Sequence, residues 1–241
     1  MRVPELDQSR LPRHIGIIMD GNGRWAERHG VTRAAGHEAG AQSVRAAVEA
    51  CRELGGVKVL SLYAFSTENW RRSKLEINAL FRLLSKYISI EVADLHKENI
   101  RLTLMGRIEG LPQRAADDLR RSIELTANNT AMTLNLAINY GGRAEIADAA
   151  RRIAADVAAG RLHPDHVDEA CFAQRLYLPD LPDVDLLIRT SGEMRISNFM
   201  LWQVSYAEMV VTEVLWPDFR KKHLREAIAI YQSRNRRFGG R

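Results

Sequence analysis

Short apolar runs alternate along this chain with longer stretches of helical periodicity, and few folds accommodate that alternation. The pattern predicts strands over 14–19, 57–65, 100–105, 132–138, 184–188 and 209–215. It predicts helices over 36–54, 73–98, 142–159 and 220–237, the first of them on the three-to-four spacing of Val44, Ala47, Val48, Cys51 and Leu54. A turn at 161–164 is expected to lead into a further helix capped by Asp165, with His163 and His166 on the surface. No internal repeat, low-complexity segment or Ser/Pro-rich linker divides the chain. The expected architecture is therefore α/β: one domain over 1–241, with a central, mostly parallel sheet flanked by helices. Residues 1–12 and 238–241 are expected to be flexible.

An apolar fraction of 46% is enough for a sizeable core. A net charge of +5 and a pI near 9.4 suit an anionic partner: nucleic acid, an anionic membrane or a phosphorylated small molecule. The charge is spread out, and no basic stripe with interleaved aromatics is present, which argues against nucleic acid. No apolar stretch reaches transmembrane length, and residues 1–13 lack the apolar core of a signal segment. The expectation is a cytoplasmic protein whose membrane contact is peripheral. Cys51 and Cys171 read as reduced, buried, small hydrophobes.

The long 73–98 helix carries one apolar stripe, Ile77, Leu80, Phe81, Leu84, Ile88, Val92 and Leu95. Leu83, Tyr87 and Ile90 extend it beyond what one core face requires. The surplus fits more core, a dimer contact or the wall of a lipid-binding cavity.

Three polar segments follow strand ends, the edge of a parallel sheet where ligands bind. The first is Asp20-Gly21-Asn22-Gly23-Arg24-Trp25. Its glycines let the backbone approach phosphate oxygens, Arg24 adds a fork-shaped cation, and Asp20 suits a magnesium ion. A plain strand-to-loop turn is the alternative. Arg33 and His37 lie shortly after it, and a lone histidine there also suits a surface or capping role. The second runs from Phe65 through Ser66, Asn69, Trp70 and Arg72 to Glu76, mixing hydroxyl, amide, indole and guanidinium groups. Ser73 and Glu76 also have capping-box spacing. The third is Arg189 to Phe199, in which Arg189, Arg195 and Ser197 offer a diphosphate grip. Glu208, in an apolar run, is either solvent-facing or buried with a partner such as magnesium.

HIGIIMDGNGRWA over 14–26, GHEAG over 36–40, YAFSTENWRR over 63–72 and LIRTSGEMRISNFMLWQVSYAE over 187–208, with VLWPDF after it, resemble the cis-prenyltransferases, in that family's order and over nearly the whole chain. The resemblance implies a non-Rossmann, family-type fold. It implies an enzyme that condenses isopentenyl diphosphate with an allylic diphosphate, farnesyl diphosphate by default, to make a cis-polyprenyl diphosphate of undecaprenyl length. A short- or medium-chain synthase is the alternative, and a non-catalytic accessory subunit is a more distant one.

Carried over residue by residue, the resemblance makes Asp20 and Glu208 magnesium ligands. It makes Asn22, Arg24, Arg33 and His37 contacts of the allylic diphosphate, with Gly21 and Gly23 shaping that loop and Trp25 among the substrate-binding residues. Ser66, Asn69, Trp70, Arg72 and Glu76 become the active-site segment, and Arg189, Arg195 and Ser197 the isopentenyl diphosphate site. Met194 departs from relatives that carry a metal-binding histidine there. The resemblance further implies a homodimer, in which the Arg237-Phe238-Gly239 tail reaches across. For the growing chain, the 73–98 helix and strand residues Leu60, Leu62 and Ala64 are expected to wall an apolar channel.

Overall fold

A computed structural model describes residues 4–234. Its strands are β1 (His14–Ile18), β2 (Val59–Ser66), β3 (Ile100–Met105), β4 (Met132–Tyr140), β5 (Leu186–Arg189) and β6 (Glu208–Val211). They form one sheet in the order β3-β4-β2-β1-β5-β6, with every pairing parallel. The helices are α1 (Asn22–Arg28), α2 (Arg33–Leu54), α3 (Lys74–Lys97), α4 (Gln113–Leu125), α5 (Gly142–Ala158), α6 (Glu169–Ala173) and α7 (Lys221–Ser233).

A parallel sheet is covered on both faces, so its strands read as near-continuous apolar runs. All five residues of β1 are buried. Ile15, Ile17, Leu60, Leu62 and Ile188 face one apolar core, which also holds Cys51 of α2 and Ile228 of α7. Ile18, Met105, Tyr140, Leu187 and Phe199 form a second core on the other face. A polar row crosses four strands inside the sheet. The Asn135 amide donates to Ser61 Oγ, the Thr103 hydroxyl to Asn135 Oδ1, and Ser61 pairs with His14 Nε2 at 2.7 Å. The other His14 nitrogen lies 2.6 Å from the Pro182 carbonyl. Burial holds the His14 imidazole down, to about 4, so it sits in this row as the neutral ring.

The chain runs outward in opposite directions from β1: β2 lies on one side and β5 on the other. In an open α/β sheet that switch point opens a crevice at the carboxyl ends of the strands. Asp20 and Thr190 sit there, just past β1 and β5.

Several expectations need correction. Helix α1 begins at Asn22, inside the segment read as a loop. Helix α4 was not expected, because its buried residues are Ala115, Ala116, Asp118, Leu119 and Ser122, too small or polar to register as an apolar stripe. Asp165 caps nothing. His163 caps a short 3-10 turn, and Asp168 caps α6 by accepting from the Cys171 N–H at 2.7 Å. Cys51 is buried, with its thiol pushed up to about 12, but Cys171 is only half-buried. Within the N-terminal segment two contacts reach the body of the fold. Leu6 is buried in the core, and the Asp7 N–H donates to Gln232 of α7. Residues 238–241, like Arg237-Phe238-Gly239, lie outside the described residues.

Candidate active site

Asp20 is the hinge of the crevice. Thr190 clamps its backbone: the Asp20 N–H donates to Thr190 Oγ1 at 2.9 Å, and that hydroxyl donates to the Asp20 carbonyl at 2.7 Å. The carboxylate is shared by two arginines. Arg189 Nη2 lies 2.8 Å from Oδ2 and Arg24 Nη2 lies 3.3 Å from Oδ1. Burial pushes this carboxyl up, but Arg189 and Arg24 outweigh it and hold it below the usual aspartate range. Asp20 is therefore an anion at neutral pH.

Gly21 is required by geometry. Its φ is +110°, and a Cβ there would sit 3.1 Å from the Leu215 backbone. Gly23 is not constrained in this way, because it lies within α1 and a Cβ would meet only the Arg33 side chain at 3.9 Å. The nearer constraint is Gly36, where a Cβ would clash with the Asn22 carbonyl at 2.3 Å. This glycine lets α2 pass close under the active-site turn.

Two clusters of cations meet at Asp20. On one side Arg33, His37, Arg72 and Glu76 line a cavity together with Asp20, Asn22 and Arg24. Burial, then the neighbouring Arg72 and Arg33, hold the His37 imidazole down to about 4 against the upward pull of Glu76. His37 is neutral there, a donor or acceptor and not a cation. Ser73 caps α3 by accepting from the Glu76 N–H, while the Glu76 carboxylate turns to Arg72 at 3.0 Å, so the spacing is half a capping box and half a site contact. Asn69 lines the same cavity and accepts from the Ser66 N–H at 3.1 Å.

On the other side Arg189 donates to Ser197 Oγ at 2.6 Å and to the Arg195 carbonyl. The loop holding these groups is conformationally strained. Ser191, Ser197, Asn198 and Met200 all have left-handed backbones, with φ between 47° and 74°. It is pinned by Tyr63, whose hydroxyl donates to the Ser197 carbonyl at 3.3 Å, and by Asn198, which donates to Glu68 at 2.8 Å. Glu193 bridges the two clusters, 3.4 Å from Arg24 and 2.5 Å from Arg195.

Behind the first cluster the cavity, about 860 Å³, runs between the sheet and helices α2 and α3. Leu62, Val44, Val48, Leu80, Leu84 and Ile88 line it. Leu83 and Tyr87 belong to this wall, so the surplus apolar surface of α3 is largely cavity lining. Ile90 is not: it faces outward and is 52% exposed. Ala64 lines the cavity at a bulge in β2, where the register with β4 shifts between Tyr63 and Phe65. Leu60 is buried in the core and does not reach the wall.

Arg189, Arg195 and Ser197 stay in the second cluster, and Ser66, Trp25, Trp70 and Glu208 are not brought to the cavity lining. The Trp25 indole stacks on His29 at 3.9 Å and donates to Asp218, away from Asp20. The Trp70 indole donates to Asn139 at 2.7 Å and its ring buttresses Phe65 and Phe81, which do line the cavity. Glu208 is at the opposite, amino edge of the sheet. It pairs in register with Leu186, three residues before the Arg189 that touches Asp20, or about 10 Å along a strand. Its carboxylate is held by Arg234 at 2.8 Å. Within one chain it does not join Asp20 at a common cation.

Sequence reasoning missed Tyr63, Thr190 and Glu193 as site residues. All three lie inside the quoted motifs, but their roles depend on contacts across the sheet.

Residues 18–239 match the family model described as "Putative undecaprenyl diphosphate synthase". The chain is 51% identical to an isoprenyl transferase of Heliobacterium mobile, over 98% of this chain and 90% of that one. The chain belongs to the cis-prenyltransferases. It is 50% identical to a (2E,6E)-farnesyl-diphosphate-specific ditrans,polycis-undecaprenyl-diphosphate synthase of Pasteurella multocida, over 98% of each chain. Its fold matches the crystal structure of lavandulyl diphosphate synthase from Lavandula x intermedia in complex with dimethylallyl diphosphate, with a TM-score of 0.92 and 38% identity over 96% of this chain and 99% of that one. The chain is thus a cis-prenyltransferase acting in prenyl chain elongation, with the single-domain parallel sheet expected of it.

Proposed function

We propose that this cis-prenyltransferase condenses isopentenyl diphosphate with farnesyl diphosphate and repeats the step to a cis-polyprenyl diphosphate of undecaprenyl length. One observation carries the reading. Two separate cation clusters meet at Asp20, and only one of them opens into an apolar cavity of about 860 Å³. A primer with a long apolar tail belongs to the cluster with the cavity: Arg24, Arg33, Arg72 and neutral His37. The short isopentenyl diphosphate belongs to Arg189, Arg195 and Ser197. An intact pair of grips favours an enzyme over an accessory subunit.

Condensation breaks the allylic carbon–oxygen bond. The isopentenyl double bond attacks the allylic cation, and loss of a proton restores a neutral chain. Arg24 is placed to neutralise the departing diphosphate, and neutral His37 can donate to it without adding charge. Arg189 and Arg195 fix the second diphosphate, so the two reacting carbons meet as neighbours and not by diffusion. The apolar cavity keeps water from the cationic chain.

The donor set fits magnesium. Asp20 is one half-exposed carboxylate between two diphosphate sites, and magnesium takes one or two carboxylates together with phosphate oxygens and water. When bound, magnesium would neutralise charge on the diphosphates. Methionine is a poor ligand for it, so Met194, which is 83% exposed, is not expected to contribute. A homodimer and a transient membrane contact for product release complete the reading. Among the described residues no helix is long and apolar enough to cross a membrane.

The test is incubation with radiolabelled isopentenyl diphosphate, farnesyl diphosphate and magnesium, followed by sizing of the dephosphorylated products. Long cis-polyprenols are expected. No incorporation, or arrest after one addition, would overturn the reading.

A further inference from the structure

The charges of α3 are sorted by face. Leu75, Arg82, Lys86, Ala93 and Lys97 recur at intervals of seven, four, seven and four residues, which places them on one side of the helix. All five are exposed, and Ile90 borders them. No carboxylate of α3 lies on that side. Glu76, Glu91, Asp94 and Glu98 all line the cavity instead, on the flank toward α2. Mixed pairs three or four residues apart would stabilise an isolated helix, but here Glu91 and Glu98 are turned to Arg45 and Arg52 of α2, which leaves the outer side to the cations.

The seam between α2 and α3 is closed by ion pairs. Glu38 meets Lys86 at 2.7 Å, Arg45 meets Glu91 at 2.5 Å and Arg52 meets Glu98 at 2.6 Å. Their α2 members are seven residues apart, so the pairs form a ladder along the cavity. Arg45, Glu91, Arg52 and Glu98 also line it. Helix α3 therefore has the apolar cavity on one face, a polar seam on its flank and a cationic face outside, of which only Lys86 is held in an ion pair among the described residues. Leu75, 83% exposed, and Ile90, 52% exposed, add the apolar side chains that insert among lipid headgroups.

We propose that the outer face of α3 docks on an anionic lipid bilayer, so that the wall of the product cavity is also the membrane-contacting element. Charge complementarity selects the occupant. Among the described residues Arg82 and Lys97 have no ion-pair partner, and headgroup phosphates can compete with Glu38 for Lys86. The proposal gives a location to the membrane contact inferred from the product, and its test needs no catalysis.

Purified full-length protein would be sedimented with vesicles of phosphatidylcholine alone and of phosphatidylcholine with an equal part of phosphatidylglycerol. Wild type should bind the anionic vesicles and release them as salt is raised. Arg82→Glu/Lys97→Glu should weaken that binding at least about tenfold, and Leu75→Ser/Ile90→Ser should weaken it severalfold. Arg101→Glu/Arg151→Glu makes the same change of charge on the opposite face of the sheet and should bind nearly as wild type does. Circular dichroism and turnover in detergent would establish that each variant is folded. Failure of wild type to bind, equal loss in both charge-reversed proteins, or unchanged binding by Arg82→Glu/Lys97→Glu would each overturn the proposal. So would a change in oligomeric state in the α3 variants without a change in vesicle binding, which would mark the face as a contact between copies.

Discussion

Asp20 has two duties, and its replacement should separate them. It compensates Arg189, a side chain only 4% exposed, and it stands between the two cation clusters proposed to hold the diphosphates. Asp20→Ala should lower turnover by about a hundred- to a thousandfold, the usual cost of an electrostatic group at a reacting centre. Destabilisation should stay near 1–3 kcal/mol, because Arg189 keeps Ser197 and the Arg195 carbonyl as acceptors. Steady-state kinetics beside thermal melts would check both, and turnover within a few-fold of wild type would remove Asp20 from the mechanism. Arg195→Ala tests the division into two grips. The Michaelis constant for isopentenyl diphosphate should rise roughly ten- to a hundredfold, with that for the allylic substrate little changed. Equal weakening of both would mean that the sites are wrongly assigned. At this scale the motifs were legible because arginines, glycines and an aspartate crowd past strand ends. The positions of Trp25, Trp70 and Glu208 were not legible, because which way a side chain turns depends on neighbours such as His29, Asn139 and Arg234.

Among the elements, the bulge in β2 and the helix α3 set what the cavity can hold. The bulge at Ala64 turns a small side chain into the cavity close to the active-site segment. Ala64→Leu should shorten the product distribution while sparing the first condensation, since Leu adds bulk beyond the primer's diphosphate grip. Reversed-phase sizing of the dephosphorylated products reads this directly, and an unchanged distribution would place the limiting wall elsewhere. Leu60, four residues earlier, serves as a control, because it is core and should change stability more than length. The period of α3 announced more apolar surface than a core needs, but left open whether that surface met core, partner or cavity. The cavity lies between the sheet and helices α2 and α3, whose seam is bridged by ion pairs, a relation between two helices that neither pattern contains.

For the molecule as a whole, stability should depend on pH through buried neutral histidines. The folded-state pKa of His14 is depressed to about 4, below its unfolded value of 6.5. As pH falls below 6.5 the unfolded chain takes the proton first, so this contribution is complete above 6.5 and is lost progressively down to about pH 4. Its size is on the order of 3 kcal/mol. Denaturant midpoints measured from pH 7 to 4.5 should fall for wild type. They should fall less steeply in His14→Gln, which keeps polar groups for Ser61 and Pro182 but does not titrate. Parallel slopes would show that His14 is not the titrating group. The sequence by itself determined the class of the fold, because strands buried on both faces must be apolar throughout and helices covering them must repeat near 3.6. It also pointed to the segments that the structure gathers at the crevice, because diphosphate binding demands a dense local supply of cations, hydroxyls and glycines. Only the tertiary structure decided that Asp20 lies between Arg24 and Arg189, that the first cluster opens into an apolar cavity, and that Glu208 falls at the other edge of the sheet. Those are facts of strand order and register, which bring together residues about 170 positions apart and separate others within one motif. Local periodicity carries no record of either.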